Sequence, residues 1–288
     1  MGQPTNETKV WLITGCSSGF GRQLAVAARN RGDLVIATAR NVAVLGDLQN
    51  LGCEALTLDV TAHDSAIYNV VAKAHAIHGR IDILVNNAGI GAVGAVEEAS
   101  SGEIQTIFDT NLFGVLRVTR AVLPYMREQR SGVIANIGSL TGFAPFPGCG
   151  IYAGAKAAVA LTSQVLRLEV APMGIEVTVV DLGPFKTQVL SKSIVHSKTI
   201  PDYDEITQGF KQAVAAGGNI PATDAALGAQ ALVEALTKTC RCVGRALPSR
   251  LPLGVGYDVT HSVLTSSQQE LDAWKDFTDP GAFPIQVE

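Results

Sequence analysis

The stretch Thr14-Gly15-Cys16-Ser17-Ser18-Gly19-Phe20-Gly21 decides the fold. It follows Val10-Trp11-Leu12-Ile13, a compact apolar run that reads as a buried strand, and it precedes Gln23 to Arg31, a helical segment closed by Gly32. The lack of side chains at Gly15 and Gly19 lets the chain turn tightly and lets a ligand approach the backbone. A helix that begins here presents unpaired N–H groups and the positive end of its dipole, a setting for phosphate. Ser17 and Ser18 add hydroxyl donors.

The pattern repeats outward from this turn. Leu34-Val35-Ile36-Ala37, Ala55-Leu56-Thr57-Leu58 and Ile83-Leu84-Val85 predict strands two to four, and Val133 to Ile137 and Glu176 to Val180 predict two more. Helical segments at Ala66–His78, Ile104–Met126 and Ala155–Ala171 lie between them, and an apolar pair near Gly254-Val255 predicts an edge strand. Strands alternating with helices require right-handed crossovers and a parallel sheet covered on both faces. The expected fold class is α/β, a doubly wound Rossmann-type sheet in a single domain over residues 1–288. Its cofactor-binding and catalytic core spans about 8–190. The segment from about 185 to 225, with Pro201, Gly217-Gly218 and Pro221, reads as a substrate lid, because a loop this long in a compact domain is usually functional or disordered. Residues 226–288 form a C-terminal extension.

The glycine spacing, with three residues between Gly15 and Gly19, resembles the short-chain dehydrogenase/reductase family, and other segments of the chain resemble it too. Asn86-Asn87-Ala88-Gly89 looks like that family's cofactor-supporting motif. Asp59-Val60 matches its adenine-contacting pair. Asn111, Ser139, Tyr152 and Lys156 fall where the family has its catalytic tetrad, with Ser139 thirteen residues before Tyr152. The resemblance covers roughly residues 8 to 190. It implies that Tyr152 exchanges a proton with the substrate oxygen and that Ser139 hydrogen-bonds that oxygen. It further implies that Lys156 binds the nicotinamide ribose and that Asn111 holds a relaying water. Cofactor contacts are implied at Gly15, Ser17, Ser18, Gly19, Phe20, Gly21, Asp59, Val60, Asn87, Ala88, Gly89, Tyr152, Lys156, Gly183 and Thr187. The chain departs from the pattern at Leu182, where the family has proline. That frees the backbone beside the nicotinamide.

Tyr152 and Lys156 share a helix face at i and i+4. An ammonium beside a phenol favours the phenolate, so Tyr152 is expected to titrate below its ordinary value near ~10. Ala39 stands where an acidic residue would accept the ribose 2′-hydroxyl, and Arg40 follows; a guanidinium suits a 2′-phosphate, so NADP(H) is preferred with NAD(H) possible. Gly142-Phe143-Ala144-Pro145-Phe146-Pro147-Gly148 is expected to wall an apolar pocket, together with Gly91 to Val96, Phe185, Val189 and Ile194 to Phe210; these aromatics suit a core equally well.

A net charge of −4 argues against nucleic acid as a partner, 17% charged residues leave ample material for a core, and no run of apolar residues is long enough for a membrane span. The five cysteines suggest free thiols in a reducing compartment, Cys240-Arg-Cys242 lacks further ligands for a metal, and the polar N-terminus lacks a signal-peptide core, so the Asn6-Glu7-Thr8 sequon is expected to be idle and the location cytoplasmic. Cys149 reads as a wall residue. The function expected is a ketone or aldehyde to alcohol oxidoreductase acting on an apolar small molecule of steroid, retinoid or polyketide type. A homodimer or homotetramer is implied by the resemblance. The alternatives are a non-redox isomerase or cyclase on the same fold, and a non-catalytic cofactor-binding regulator.

Overall fold

A computed structural model describes residues 7–216, 222–278 and 281. Among the described residues nine strands are formed: β1 (Val10–Ile13), β2 (Leu34–Ala39), β3 (Glu54–Thr57), β4 (Ile83–Asn86), β5 (Ala92–Val93), β6 (Gly132–Ile137), β7 (Ile175–Leu182), β8 (Ile194–Val195) and β9 (Arg250–Leu253). Seven make one sheet in the order β3-β2-β1-β4-β6-β7-β9, every neighbouring pair parallel. The doubly wound α/β expectation is met. The sheet is buried on both faces, which is why β1 and residues 83–85 of β4 are apolar without alternation. One core cluster gathers Trp11, Leu24, Ala28 and Leu232 on one side; the other gathers Leu12, Ile67, Val122 and Ile134 on the opposite side.

Buried carboxylates pin the starts of the central strands. Asp33, fully buried, accepts from the Trp11 indole Nε1 at 2.9 Å and the Lys9 N–H at 2.9 Å, and is paired with Arg31. Asp82 accepts from the Val10 N–H at 2.8 Å and is paired with Arg80. A charge can be buried because each lone pair finds a donor. Strand order reverses between β1 and β4, so the crevice beyond their carboxyl ends is the topological switch point at which this architecture binds ligands.

Three expectations about elements change. The helix expected at 104–126 is two helices, Ser101–Phe108 and Gly114–Gln129, joined by a π turn at Asp109–Phe113. Ser100 starts the first with a reciprocal cap: its hydroxyl accepts from the Glu103 N–H, and Glu103 accepts from the Ser100 N–H at 2.8 Å. The edge strand ends at Leu253, just before the expected Gly254-Val255, because Gly254 turns at φ +85°. The lid is not a bare loop. It contains β8, a 3-10 turn at Pro201–Tyr203 and a helix at Asp204–Ala215; Gly217-Gly218 and Pro221 lie outside the described residues.

Carboxylates hold this lid to the body. Buried Glu98 accepts from the Ile200 N–H at 3.0 Å and from Lys211 Nζ at 3.1 Å, and Glu103 accepts from the Ser197 N–H at 2.9 Å. β8 also pairs with β5. In the C-terminal extension, the helix Ala225–Thr237 packs Gly228, Ala229, Leu232 and Leu236 inward, whereas Gly256–Ala273 is exposed along most of its length.

Candidate active site

The turn after β1 and the loop after β4 interlock. Asn87 Nδ2 donates to the carbonyls of Thr14 and Gly15 at 2.9 and 3.1 Å, and the N–H groups of Asn87 and Ala88 both donate to Thr14 Oγ1 at 3.0 Å. Such contact leaves no room for side chains. A Cβ on Gly15 would stand 2.8 Å from Ala88 Cα, and one on Gly21 would stand 2.8 Å from Asn87 Cγ. Gly15 and Gly19 have φ of +74° and +63°, the left-handed region that favours glycine. Thr14 was not singled out from the sequence; the signal was its place between an apolar strand and a glycine.

The helix Gly19–Arg31 begins without a side-chain cap: Ser18 is extended and makes no hydrogen bond to it. Its first N–H groups are therefore available to an anion in the crevice, which fits the phosphates of a dinucleotide. Ser17 is exposed, and Ser18 Oγ accepts from Lys192 Nζ of the lid at 3.5 Å. The Phe20 ring turns away into the core, 5.3 Å from the Phe185 ring, so only its backbone faces the crevice. Arg40 is exposed at the end of β2. Asp59 is exposed with Oδ1 accepting from Thr61 N and Oγ1 at 2.9 and 2.8 Å, whereas Val60 is buried against Gly114. Gly183 donates its N–H to Leu253 O at 2.9 Å, and Thr187 stands against the glycine turn, its Cβ 3.3 Å from where a Gly19 Cβ would be.

The four tetrad positions converge above β4 and β6. Tyr152 and Lys156 are on the first turns of the helix Gly150–Val170, with Lys156 Nζ 5.8 Å from the Tyr152 ring centre. Lys156 is buried and donates to Ile137 O at 2.7 Å. Asn111 lies fully buried in the π turn, where its amide clamps Ile90: Oδ1 accepts from N–H at 2.9 Å and Nδ2 donates to the carbonyl at 2.8 Å. A π turn is a frequent device at functional sites. Gly89 joins them, because its missing Cβ would be 3.1 Å from Asn111 Oδ1 and 3.6 Å from Lys156 Nζ. Ser139 Oγ accepts from Thr141 N and Oγ1 at 3.2 and 3.0 Å, and its hydroxyl acts to lower the Tyr152 phenol.

A buried amide network sets this register. Asn86 Nδ2 donates to Asn136 Oδ1 at 2.8 Å and to Thr119 Oγ1 at 2.9 Å, and Asn136 Nδ2 donates to Ser163 Oγ at 2.8 Å. It ties β4 and β6 to the helix Gly114–Gln129, which follows the π turn of Asn111, and to the helix Gly150–Val170, which carries Tyr152 and Lys156. Its role does not stand out in the sequence, although asparagines inside apolar strand runs are a visible signal.

Two expectations are corrected. Burial pushes the Tyr152 phenol above its ordinary value, outweighing the influence of the Ser139 hydroxyl that works the other way; the expected lowering by Lys156 is not what the geometry produces. The same burial pushes Lys156 down to about 8, opposed by the charge of Asp181. Phe185 does not line the pocket. It fills the core between Phe20, Gly228 and Gly254, and a Cβ on Gly228 would come 2.7 Å from its Cζ. The lid packs on the end of the Phe143 to Gly148 segment, where Gly148 meets Thr207 and Phe210, and Ile194 joins the apolar cluster that includes Tyr152. Cys149 is buried there, and burial raises its thiol to about 11, which keeps it protonated at neutral pH. No metal-binding group of side chains exists among the described residues.

Comparison with known proteins identifies the family. The short chain dehydrogenase family model matches residues 9–197. A 3-ketodihydrosphingosine reductase from Bacteroides thetaiotaomicron is 40% identical over 182 residues, which cover 63% of this chain and 65% of that protein. A solved short-chain dehydrogenase from Streptomyces avermitilis is 40% identical with a TM-score of 0.84, over 95% of this chain and 98% of the other. A 3-ketoacyl-(acyl-carrier-protein) reductase from Brucella melitensis, complexed with NADH, is 25% identical with a TM-score of 0.70, over 86% and 97% of the two chains. The chain belongs to the short-chain dehydrogenase/reductase family. It is an oxidoreductase of the class that acts on CH–OH groups and uses a nicotinamide cofactor. No helix among the described residues is long and apolar enough to cross a membrane.

Proposed function

We propose that the chain is an NADP(H)-dependent oxidoreductase that interconverts a ketone or aldehyde with an alcohol on an apolar small molecule, with Tyr152 as proton donor and acceptor. The observation that carries this reading is the convergence of Tyr152, Ser139, Lys156 and Asn111 beside an uncapped helix N-terminus at the switch point. Bound in that crevice, a nicotinamide cofactor supplies or accepts the hydride. The rest is the work of the chain. Ser139 and Tyr152 hold the substrate oxygen by hydrogen bonds. A phenol raised by burial keeps its proton at neutral pH, so it is ready to donate during reduction. Lys156, with its pKa near 8, is largely an ammonium at neutral pH and offsets the charge left on the Tyr152 oxygen. Asn111, anchored to Ile90, holds a water that returns a proton.

NADP(H) is favoured by the guanidinium of Arg40 after Ala39, where no carboxylate opposes a 2′-phosphate. The apolar substrate is favoured by Ile90, Phe108 and Ile194, which share an apolar cluster with Tyr152, and by the ketone named in the Bacteroides relative. A single domain, a cytoplasmic location and assembly as a dimer or tetramer complete the proposal. The exposed Leu161, Val165 and Leu168 on the Gly150–Val170 helix suit packing against a second copy.

The test is nucleotide oxidation across a panel of apolar ketones, with NADPH and NADH in parallel. Tyr152→Phe should lower kcat by about 10²–10⁴-fold, the usual worth of a positioned acid, while NADPH still binds. Equal kcat/KM with both nucleotides would overturn the Arg40 assignment, and no turnover of any carbonyl would overturn the reaction.

A further inference from the structure

Ser139 opens a tight 3-10 turn, Leu140–Gly142, just beyond β6, and its backbone carbonyl accepts from the Gly142 N–H at 2.9 Å. Two neighbours fix this turn. A Cβ on Gly142 would stand 2.9 Å from Lys156 Cβ, and one on Gly256 would stand 3.0 Å from Leu140 Cδ2. Thr141, half-buried between these anchors, gives Ser139 Oγ both of its own donors, the N–H at 3.2 Å and the hydroxyl at 3.0 Å. An N–H on the oxygen of a leading serine is the ordinary cap of such a turn. The second donor is not, and it comes from the hydroxyl of Thr141 alone.

We propose that Thr141 is a positioning residue that makes Ser139 a donor only, so that the substrate oxygen accepts from Ser139 and exchanges its proton with Tyr152 alone. The proposal rests on the roles given to Ser139 and Tyr152 above. A serine hydroxyl has one proton to give and two lone pairs that accept. Thr141 fills both lone pairs, and accepting two hydrogen bonds polarises the O–H that remains. A ketone oxygen only accepts, so it meets two donors and nothing else. An alcohol also donates, and beside a serine with a free lone pair it could turn its proton away from Tyr152. Thr141 closes that unproductive orientation.

The experiment compares wild type, Thr141→Val, Thr141→Ser, Ser139→Ala and Ser139→Ala/Thr141→Val. Valine keeps the branched shape and the backbone N–H and removes only the hydroxyl. Two quantities are read: kcat/KM for reduction of an apolar ketone with NADPH, and affinity by calorimetry in complexes that cannot react. Those complexes are the ketone on NADP+-loaded protein and the matching alcohol on NADPH-loaded protein. Thr141→Val should lower kcat/KM about 2–10-fold, the worth of one hydrogen bond, and Thr141→Ser should restore it. The same change should cost nothing further in the Ser139→Ala background, because its effect passes through that oxygen. Thr141→Val should weaken the ketone complex but not the alcohol complex, since an alcohol can use the freed lone pair. A merely structural role would multiply with Ser139→Ala and weaken both complexes alike, and either result overturns the proposal. So does a Thr141→Val protein that reduces ketones faster than wild type, which would mean that Ser139 gives its proton to Thr141. If Thr141→Val does not fold, Thr141→Ala takes its place in the same cycle. The affinity cycle decides where Ser139→Ala turns over too slowly to follow. A wild type that binds the ketone but reduces no carbonyl defeats the reaction assigned above, while the affinities still decide the role of Thr141.

Discussion

Gly21→Ala isolates the interlock between the glycine turn and the loop after β4. The new methyl would stand 2.8 Å from Asn87 Cγ, closer still to Nδ2, and 2.9 Å from Gly15 O. Asn87 cannot yield without giving up its bonds to Thr14 O and Gly15 O. Two such bonds are worth about 1–3 kcal/mol together, and overpacking against a fixed carbonyl adds about 1–3 kcal/mol. Alanine in a helix returns about 0.5–1 kcal/mol. The net destabilisation is then roughly 1–5 kcal/mol, centred near ~3 kcal/mol, or about a hundredfold in the folding equilibrium. Gly209→Ala is the internal control, because it is exposed within the helix Asp204–Ala215 and a Cβ there meets nothing within 4 Å. It should gain about 0.5–1 kcal/mol from the same chemical change. Urea unfolding of both variants supplies the numbers, and NADPH titration should show weaker binding for Gly21→Ala alone. A Gly21→Ala protein within ~0.5 kcal/mol of wild type, the range of an inconsequential surface change, would refute the reasoning.

Three further outcomes follow from the same geometry. Lys156→Met should be more stable than wild type at pH 7, by about 3 kcal/mol at most, because the native lysine pKa of about 8 lies below its unfolded value of 10.5. The unfolded chain binds the extra proton, so the cost is full below pH 8, and thermal melts should show the gap closing as pH rises from 8 to 10.5. Glu103 behaves oppositely: its carboxyl is held at about 2, first by the Ser100 N–H, against an ordinary 4.5. Its hold on the lid is complete above pH 4.5 and is lost as pH falls toward 2; limited proteolysis should cut residues 187–216 progressively faster over that window, and at neutral pH in Glu103→Ala. Phe185→Ala should cost about 3–5 kcal/mol in urea unfolding, as expected for a buried aromatic, with little change in ketone selectivity.

The architecture was legible because two local signals agreed. Apolar runs of four to six residues between helical segments can be buried on both faces only in a parallel sheet, and the glycines at 15, 19 and 21 mark where the chain must turn and admit its neighbour. The helix start at Ser100 was missed, although Ser100 and Glu103 spell a capping box, because the long apolar periodicity through Met126 masked the π turn. Phe185 was misplaced for a different reason. Its neighbours Phe20, Gly228 and Gly254 are far apart in sequence, so nothing local could distinguish a pocket aromatic from a core one.

Sequence alone determined the sheet and the glycine turn, because strand burial and helix periodicity are properties of neighbouring residues, while Asn111, Ser139, Tyr152 and Lys156 were singled out by their resemblance to the family's motifs. Tertiary structure alone decided the ionisation of the site. Burial sets the direction for both Tyr152 and Lys156, and Asp181, held by Arg250 from a strand 69 residues away in the chain, opposes it at Lys156. Spacing along a helix records which groups are close. Desolvation and the field of distant charges depend on everything that folds over them.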